Sequence, residues 1–409
     1  MEYFNVTSNE YFTCLHQRQS KNYKFKLELL SEYEQVIGEI ERDFSKTAKG
    51  QINVNYQQLS RRSCSITVIN TDKKYLPSED SFFWIDRKFK LWVGIVVRED
   101  VYWFSQGIFI TKGASCDSHT LKIEAVDKGG FLDGTLKTNS LATQVLIEKG
   151  SNVANLFRDT LSLSNGYAIV DPKSPIIEKS FKQAITAADI SINRDEFIGD
   201  LFKNVADSYS ADIYYDTEGR FNVSPLTEGN RADGYNIMPS EFDFEDSEAT
   251  FINSSTDYQY DCINAITVYT DIKNTEDEND NPIENISYTA YNNSPLSPLR
   301  VSAIRIRAEV QEIKYVDVSP EKMEQLCKEY AQYLLFKKSM LALSVDFNTQ
   351  IIPHLDVDRV ITITDKIKGL ENERFIIQSL SIPLSAGEMS IKAVKIQDLP
   401  VYMDIEKGI

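Results

Sequence analysis

The chain has 409 residues, of which 42% are hydrophobic and 26% are charged, close to the averages of folded soluble proteins. At about 150 residues per domain, this length predicts two to four domains and excludes a small module held together by disulfides. Asp and Glu number 61 and Lys and Arg 44, so the formal net charge is −17. This sign opposes adhesion to phosphate backbones, and we expect no specific nucleic-acid binding.

The cysteines and the apolar segments indicate in which cellular compartment the protein is made. Five cysteines lie far apart without a CxxC pair, and an odd number cannot form a closed disulfide set, which favours free thiols in a reducing compartment. The longest apolar run, 91–97, is far shorter than the ~20 residues of a membrane-spanning helix, so we expect no membrane segment. The first thirty residues contain no apolar stretch of signal-peptide length.

After an N-terminal segment at 1–22, residues 23–135 have the pattern of one all-β domain. Cys64, Ile66 and Val68 alternate with small polar residues, which predicts a strand with one buried face, and Arg61 and Arg62 mark its start. Gly94 indicates a bulge or a close backbone approach. Further strands are predicted at 90–97, 102–104, 108–111 and 121–126, spaced as in an antiparallel sandwich or barrel.

Residues 136–239 have a different pattern, which predicts a small α+β domain. Apolar residues at helical spacing predict helices over 152–161 and 193–209, the second with Asn193 as its N-cap. A hairpin follows, with strands at 212–215 and 220–225 and a turn in which Gly219 supplies the left-handed backbone.

Residues 240–400 return to strands, before a short tail at 401–409. The helix expected at about 319–337 has a proline at its first position and an acidic first turn. Strands are predicted at 265–270, 302–306, 341–347, 360–364, 374–382 and 390–395. The predicted fold class is therefore mainly β with an α+β insert: two β-barrel-like tube domains separated by a small α+β domain.

No pattern for catalysis or cofactor binding is present. The three histidines lack partners at metal-ligand spacing, and neither phosphate-binding glycine motif occurs. We interpret Cys14 and His16 as an incidental pair in a stretch without clear structure. Residues 353–358 are interpreted as a tight turn whose polar side chains bond to local backbone groups. We therefore predict no catalytic residue, no cofactor, no metal site and no enzymatic activity.

Several phrases carry a resemblance to a known family. They are LSRRSCSITV at 59–68, FKLWVG at 89–94, WFSQGIF at 103–109, AVDKGGFLDG at 125–134, ADIYYD at 211–216, GRF at 219–221, PHLDVDRV at 353–360 and FIIQSLSIPL at 375–384. Together with the β, α+β, β layout, they resemble the baseplate hub or tail-associated (tail-tip hub) proteins of tailed phages, including the hubs of phage tail-like bacteriocins.

This resemblance implies a structural protein of the virion, made and assembled in the host bacterial cytoplasm. Hubs of this kind are homotrimers whose six tube domains adapt the sixfold tail tube to a threefold spike and enclose part of the DNA channel. The implied partners are the tail tube or distal tail protein above, the spike or tip protein below, and a tape-measure contact. Longer relatives continue into peptidase or lysozyme-like regions, whose activity is not carried over to a sequence that stops at Ile409.

Two alternatives stay open. A distal tail adaptor shares the ring-forming β domain but is commonly hexameric. A cell-wall-degrading or carbohydrate-binding baseplate component would use the abundant acidic and aromatic residues, since the separation of carboxylate pairs is spatial and the sequence does not reveal it.

The candidate assembly-interface residues lie in the longest apolar run. They are Leu91, Trp92, Val93 and Val96. Consecutive apolar residues would form an exposed, adhesive edge unless both faces of the strand were covered, within the barrel or at a chain boundary.

Overall fold

A computed structural model describes most of the chain. The described ranges are 9–17, 20–40, 49–71, 83–117, 119–136, 145–162, 171–186, 189–192, 196–208, 211–225, 239–245, 252–259, 262–270, 286–293, 299–313, 320–338, 342–385 and 387–396, with single gaps at 72 and 74 and isolated positions at 73, 75, 76, 78, 295 and 297.

The first section contains one helix and seven strands. They are α1 (Asn9–His16), β1 (Tyr23–Leu30), β2 (Val36–Glu39), β3 (Lys49–Asn55), β4 (Arg62–Ile69), β5 (Lys88–Val97), β6 (Asp100–Cys116) and β7 (Thr120–Asp127), followed by a 3-10 turn at Lys128–Phe131. Two expectations are wrong. The N-terminal stretch holds α1, and the strands predicted at 102–104 and 108–111 are one strand, because a β-bulge opposite Leu91 and Trp92 carries it past Gly107 at φ +134°.

The insert has the predicted helices and hairpin. Its elements are β8 (Val145–Ile147), α2 (Val153–Ser162), β9 (Ile176–Ile177), a 3-10 turn at Lys179–Phe181, β10 (Ile190–Ile192), α3 (Ile198–Ser208), β11 (Ala211–Tyr215) and β12 (Phe221–Pro225). The Asn152 side chain caps α2 by accepting from Asn155 N at 2.9 Å, whereas the cap predicted at Asn193 lies outside the described residues. Phe157, Phe202 and Phe221 pack together in this section's own core.

The third section is again rich in strands. It comprises β13 (Asp243–Glu245), β14 (Ile252–Gln259), β15 (Ala265–Thr270), β16 (Ser287–Tyr291), α4 (Val301–Ile304), β17 (Ala308–Ile313), α5 (Pro320–Lys338), β18 (Ala342–Thr349), β19 (Val360–Asp365), a 3-10 turn at Lys366–Lys368, β20 (Leu370–Pro383) and β21 (Met389–Lys395). The strand predicted at 302–306 is wrong. Arg305 takes φ 72°, and the Asn264 side chain binds Arg305 O and Arg307 N, so strand pairing starts only at Ala308.

The first and third sections share one sheet of 13 strands. Its order is β14-β18-β21-β20-β3-β4-β7-β6-β5-β1-β2, with β19 on β20 and β13 on β19. The mainly β class is confirmed, but within the described ranges no pairing closes either section into a separate barrel. Instead β3 pairs with β20, so strands from the two sections satisfy each other's backbone groups. The domain boundaries expected at 135 and 239 stay predictions.

Smaller sheets complete the fold. β10 pairs with β8, β11-β12-β9 form a three-stranded sheet, and so do β16-β15-β17. The helix α5 packs on β15 and β16 through Cys327, Ala331 and Leu335. The core of the large sheet draws residues from both sections, including Ile52 and Ile382, which lie opposite each other on β3 and β20.

We predict that the pairing of β3 with β20 is central to stability. Ile52 is fully buried, so Ile52→Ala should lower the free energy of unfolding by about 2–5 kcal/mol, while Asn53→Ala on the exposed face should change it by at most about 0.5 kcal/mol. Urea unfolding followed by circular dichroism measures both. Equal small losses would show that this pairing contributes little to the cooperative core.

Candidate functional site

The large sheet carries short polar side chains on the side facing away from its core. We call this surface the polar face: Gln51, Asn53, Asn55, Ser63, Ser65, Thr67, Asp346, Asn348, Ser379, Ser381, Ser390 and Lys392. Cross-strand partners such as Asn53 with Ser381 and with Ser63 place these residues in rows across β18, β21, β20, β3 and β4. A shallow groove of ≈ 420 Å³ runs over the part formed by β3, β18, β20 and β21.

The polar face itself contains only two charged side chains, and exposed Lys49, Lys122 and Glu124 border it beside Ser65 and Thr67. Its two charged residues, Asp346 and Lys392, lie directly opposite each other on β18 and β21. The remaining members are hydroxyl and amide side chains, which exchange hydrogen bonds readily with water. A surface of this kind offers neither a cationic patch for phosphate nor an apolar patch for protein side chains.

Two consecutive arginines join the three sections. Arg61 donates to both Asp212 oxygens of β11 at 2.5 and 2.6 Å, and its guanidinium lies 4.7 Å from the Tyr56 ring and 4.2 Å from the Tyr214 ring. Arg62 pairs with Asp356 of the third section. Both arginine side chains are only 3% exposed, so each is committed to its partner in another section.

The turn of the β11–β12 hairpin docks on the large sheet. Lys90 pairs with Glu218 at 2.7 Å, and Ser105 Oγ donates to Thr217 O at 2.7 Å. Gly219 takes φ +71°, and a Cβ there would lie 2.6 Å from Ile108 Cδ1. A larger residue at 219 would therefore separate the hairpin from the sheet.

Helix α1 is anchored where the first and third sections meet. Tyr11 and Leu15 are buried in the shared core, and Tyr11 Oη lies 2.7 Å from His354 Nδ1. His16 stacks on Phe242 at 4.9 Å. The interpretation of 353–358 as a locally bonded turn is confirmed only in part. Asp356 Oδ1 accepts from Val357 N at 2.8 Å, but His354 and the other Asp356 oxygen bond to side chains distant in sequence.

A small cavity of ≈ 30 Å³ lies beside His354 at this meeting point. Its lining includes Arg62, Thr217, Glu241 and Arg359. Burial raises the pKa of Glu241 to about 7 although Arg359 lies 3.5 Å away. The volume suits about one water molecule and is too small for a sugar or nucleotide. In the part of the chain that the structure describes, no group of three or more His, Cys, Asp or Glu side chains is placed to hold a metal ion.

Solved structures similar to this chain include several tail proteins. The tail protein from Neisseria meningitidis MC58 superposes with a TM-score of 0.55 at 9% identity, over 92% of this chain and 98% of that one. The 43 kDa tail protein of prophage MuSo2 from Shewanella oneidensis gives 0.53 at 12% identity, over 92% and 98%. The chain has the fold of phage tail proteins.

Two further comparisons give matches. A chain of the Francisella PdpA–VgrG complex gives a TM-score of 0.51 at 10% identity over 92% of this chain, which spans about half (53%) of that longer one. Residues 296–402, about a quarter of the sequence, match a domain of unknown function, DUF5048. No curated protein sequence matches the chain.

The predicted assembly residues of this tail-protein fold lie on opposite faces of β5. Leu91 and Val93 are fully buried in the chain's own core, and only Trp92 and Val96 point to the other side, where both are half-buried. Trp92 Nε1 donates to Glu28 at 2.8 Å. Gly94 makes the predicted close approach, since a Cβ there would lie 2.8 Å from the Trp103 ring. Of the four residues, Trp92 and Val96 alone face a surface that a neighbouring chain could contact.

Sequence reasoning missed the polar face and the arginine pair. The alternation of Ser63, Ser65 and Thr67 with apolar residues was a signal for the polar face, but its extent depends on which strands become neighbours. Arg61 and Arg62 were visible only as the start of a strand. Of the described helices, none combines the length and the apolar character that a membrane span requires.

We predict that His354 makes stability depend on pH. Burial lowers its pKa to about 4, below the ordinary value of 6.5, so the unfolded chain binds the proton more readily. The contribution of neutral His354 to the free energy of unfolding is fully present above pH 6.5. As the pH falls to 4, protonation of this group alone should lower that free energy by about 3 kcal/mol.

Urea unfolding at stepped pH tests this. His354→Gln should make the slope of the unfolding free energy against pH more negative than in the wild type, by about 1.4 kcal/mol per pH unit between pH 4 and 6.5, whereas His119→Gln, at an exposed position, should leave the slope unchanged. Glu241, whose raised pKa acts in the opposite direction, is present in both variants and cancels. Identical slopes in all three proteins would contradict the assignment.

Proposed function

We propose that this chain is a structural hub of the baseplate or tail tip of a phage or phage tail-like particle. Three copies form a ring that adapts a sixfold tail tube to a threefold spike or tip. The observation that carries the proposal is the single sheet shared by the first and third sections, whose outward face over β18, β21, β20, β3 and β4 carries mainly short uncharged polar side chains on a chain of net charge −17.

The proposed channel wall is the polar face. A polymer that passes through a tail must slide, so a wall that binds phosphate or apolar side chains would delay it. Short hydroxyl and amide side chains keep the wall wet, and the pair of Asp346 and Lys392 adds no net charge. The wall would thus accept DNA or a tape-measure protein without holding either.

The sheet also supports ring formation. In the described ranges β14, β2 and β13 each have one paired side only, and an unpaired strand edge favours association with another chain. In a closed ring every copy covers its neighbour's edge. In the proposed assembly, the tail tube or distal tail protein lies above this ring and the spike or tip protein below, in the virion, without enzymatic activity of the hub itself.

We predict the mass and orientation of the assembly. Light scattering coupled to size exclusion should report three times the chain mass of 46.7 kDa, and a cryo-EM map of the ring should place the polar face toward the axis. A stable hexamer would favour the distal tail adaptor instead. A chain that stays monomeric inside reconstituted tails would refute the hub.

We further predict that the outward side of β5 contacts a neighbouring copy. Val96→Asp should leave the far-UV circular dichroism unchanged but shift the mass distribution toward monomer, because a carboxylate at a chain boundary must be desolvated. Val93→Asp, three residues away on the buried side of the same strand, should prevent folding. If Val96→Asp retains the full trimer mass, β5 does not lie at the chain boundary.

A further inference from the structure

Five ionisable side chains from separate segments meet in a buried cluster beneath the turn between β1 and β2. Lys128 Nζ lies 2.7 Å from Glu34 Oε1 and 2.7 Å from Asp171 Oδ1. Lys88 and Lys173 reach the same glutamate at 3.1 and 3.0 Å. The side chains of Glu34 and Asp171 are 0% exposed and that of Lys128 is 2% exposed, so water is excluded where the three meet.

The backbone conformation at Glu34 and the hydrogen bonds of Lys128 hold the groups of the cluster in fixed positions. Glu34 has φ 60°, a left-handed backbone that a residue with a side chain rarely adopts, and this turn geometry brings its carboxylate inward. Lys128 Nζ also donates to Gly219 O at 2.7 Å, so the nitrogen is held from three sides. Lys128 itself begins the 3-10 turn after β7, whose cap is the buried Asp127.

The charges in the cluster do not balance. Three ammonium groups face two carboxylates, and only Lys173 has substantial access to water, at 31% exposure. Burial lowers the pKa of Lys88, and the neighbouring Lys128 acts in the same direction. Because ammonium groups outnumber carboxylates, one lysine of the cluster can lose a proton while every carboxylate keeps a cationic partner, and a neutral amine is a nucleophile.

We propose that Lys128 and Asp171 condense to an intramolecular isopeptide bond, with Glu34 as the proton carrier. The amine nitrogen attacks Cγ of Asp171, the N–Cγ bond forms and one Cγ–O bond breaks. Two protons leave the lysine nitrogen, and Glu34 passes both to the departing oxygen, so that one water molecule leaves and the Glu34 carboxylate is restored. Contact at hydrogen-bond distance in a water-free site is the arrangement that such a condensation needs.

The environment of Asp171 supports this chemistry. Tyr215 is buried beside it, and its ring lies 5.1 Å from Lys128 Nζ. Burial raises the pKa of Tyr215 well above its ordinary value, and Asp171 acts in the same direction, so the phenol keeps its proton. That proton is available to stabilise the oxyanion formed when the amine attacks.

The bond would tie the first section to the insert across 43 residues. A covalent bond at this place would hold the insert against the first section under mechanical load. The proposal depends on the geometry of the cluster alone and is independent of the tail function.

Intact-mass spectrometry of the denatured full chain tests the proposal. The mass should be lower than the sequence mass by one water molecule, and proteolysis should yield a branched peptide that joins Lys128 to Asp171. A chain with the complete sequence mass overturns the proposal, and so does a water loss that fragment spectra locate at any other residue.

Variants separate the proposed roles. Lys128→Arg keeps the charge but should abolish the water loss, and Glu34→Gln should slow its appearance in fresh protein at least about a hundredfold. Lys122→Arg is the matched control, because Lys122 and Glu124 lie at the same kind of distance, 3.0 Å, but are half exposed to water. It should retain the wild-type mass loss. A water loss that persists in Lys128→Arg overturns the assignment. If that variant folds poorly, the branched peptide of the wild-type chain still decides whether Lys128 is joined to Asp171.

Discussion

Neighbouring side chains of an extended strand point in opposite directions. At the start of β4, two consecutive arginines therefore contact two different sections of the chain. Arg61 extends to Asp212 in the insert, and Arg62 extends to Asp356 in the third section. Arginine suits both positions because its guanidinium stays charged when buried and stacks on aromatic rings, as it does between Tyr56 and Tyr214. These two ion pairs add specific contacts from one strand start to both other sections, beside the pairing of β3 with β20.

Buried ion pairs of this type specify an arrangement more than they stabilise it. Removing one partner of a buried pair typically costs about 3–5 kcal/mol, because the other charge is left without compensation, whereas the intact pair contributes little in net terms. A second set of contacts works in the same way at the β11–β12 turn, where Lys90 and Ser105 bind the turn residues and Gly219 permits close approach. The insert thus has its own aromatic core but a position determined by polar contacts.

The large sheet separates two physical roles on its two faces. One face provides the shared apolar core, in which Ile52 and Ile382 meet across the pairing of β3 with β20. The other side of the sheet carries the polar face. Because side chains alternate between the two faces along each strand, apart from bulges such as the one in β20, the same strands provide both the core and the proposed non-adhesive channel wall.

Local patterns in the sequence were sufficient for the elements and the class of fold. The strand at β4, the helices α2 and α5 and the hairpin with Gly219 follow from alternation, helical spacing and turn chemistry, which act between residues a few positions apart. The same reasoning failed where a distant residue decides the outcome. A bulge opposite β5 joins two predicted strands into β6, and the Asn264 side chain delays the start of β17.

Only the tertiary structure decided the sites. The sequence determines that residues 63–68 form a strand with one polar side, but the extent of the polar face depends on the pairing of β3 with β20, more than 300 residues apart. Likewise, nothing near Lys128 in the chain indicates that Glu34 and Asp171 surround it, since turns and long loops bring them together. Backbone propensities are properties of neighbours in sequence, whereas burial, charge compensation and proton transfer depend on distances in space, which a chain acquires only when it folds.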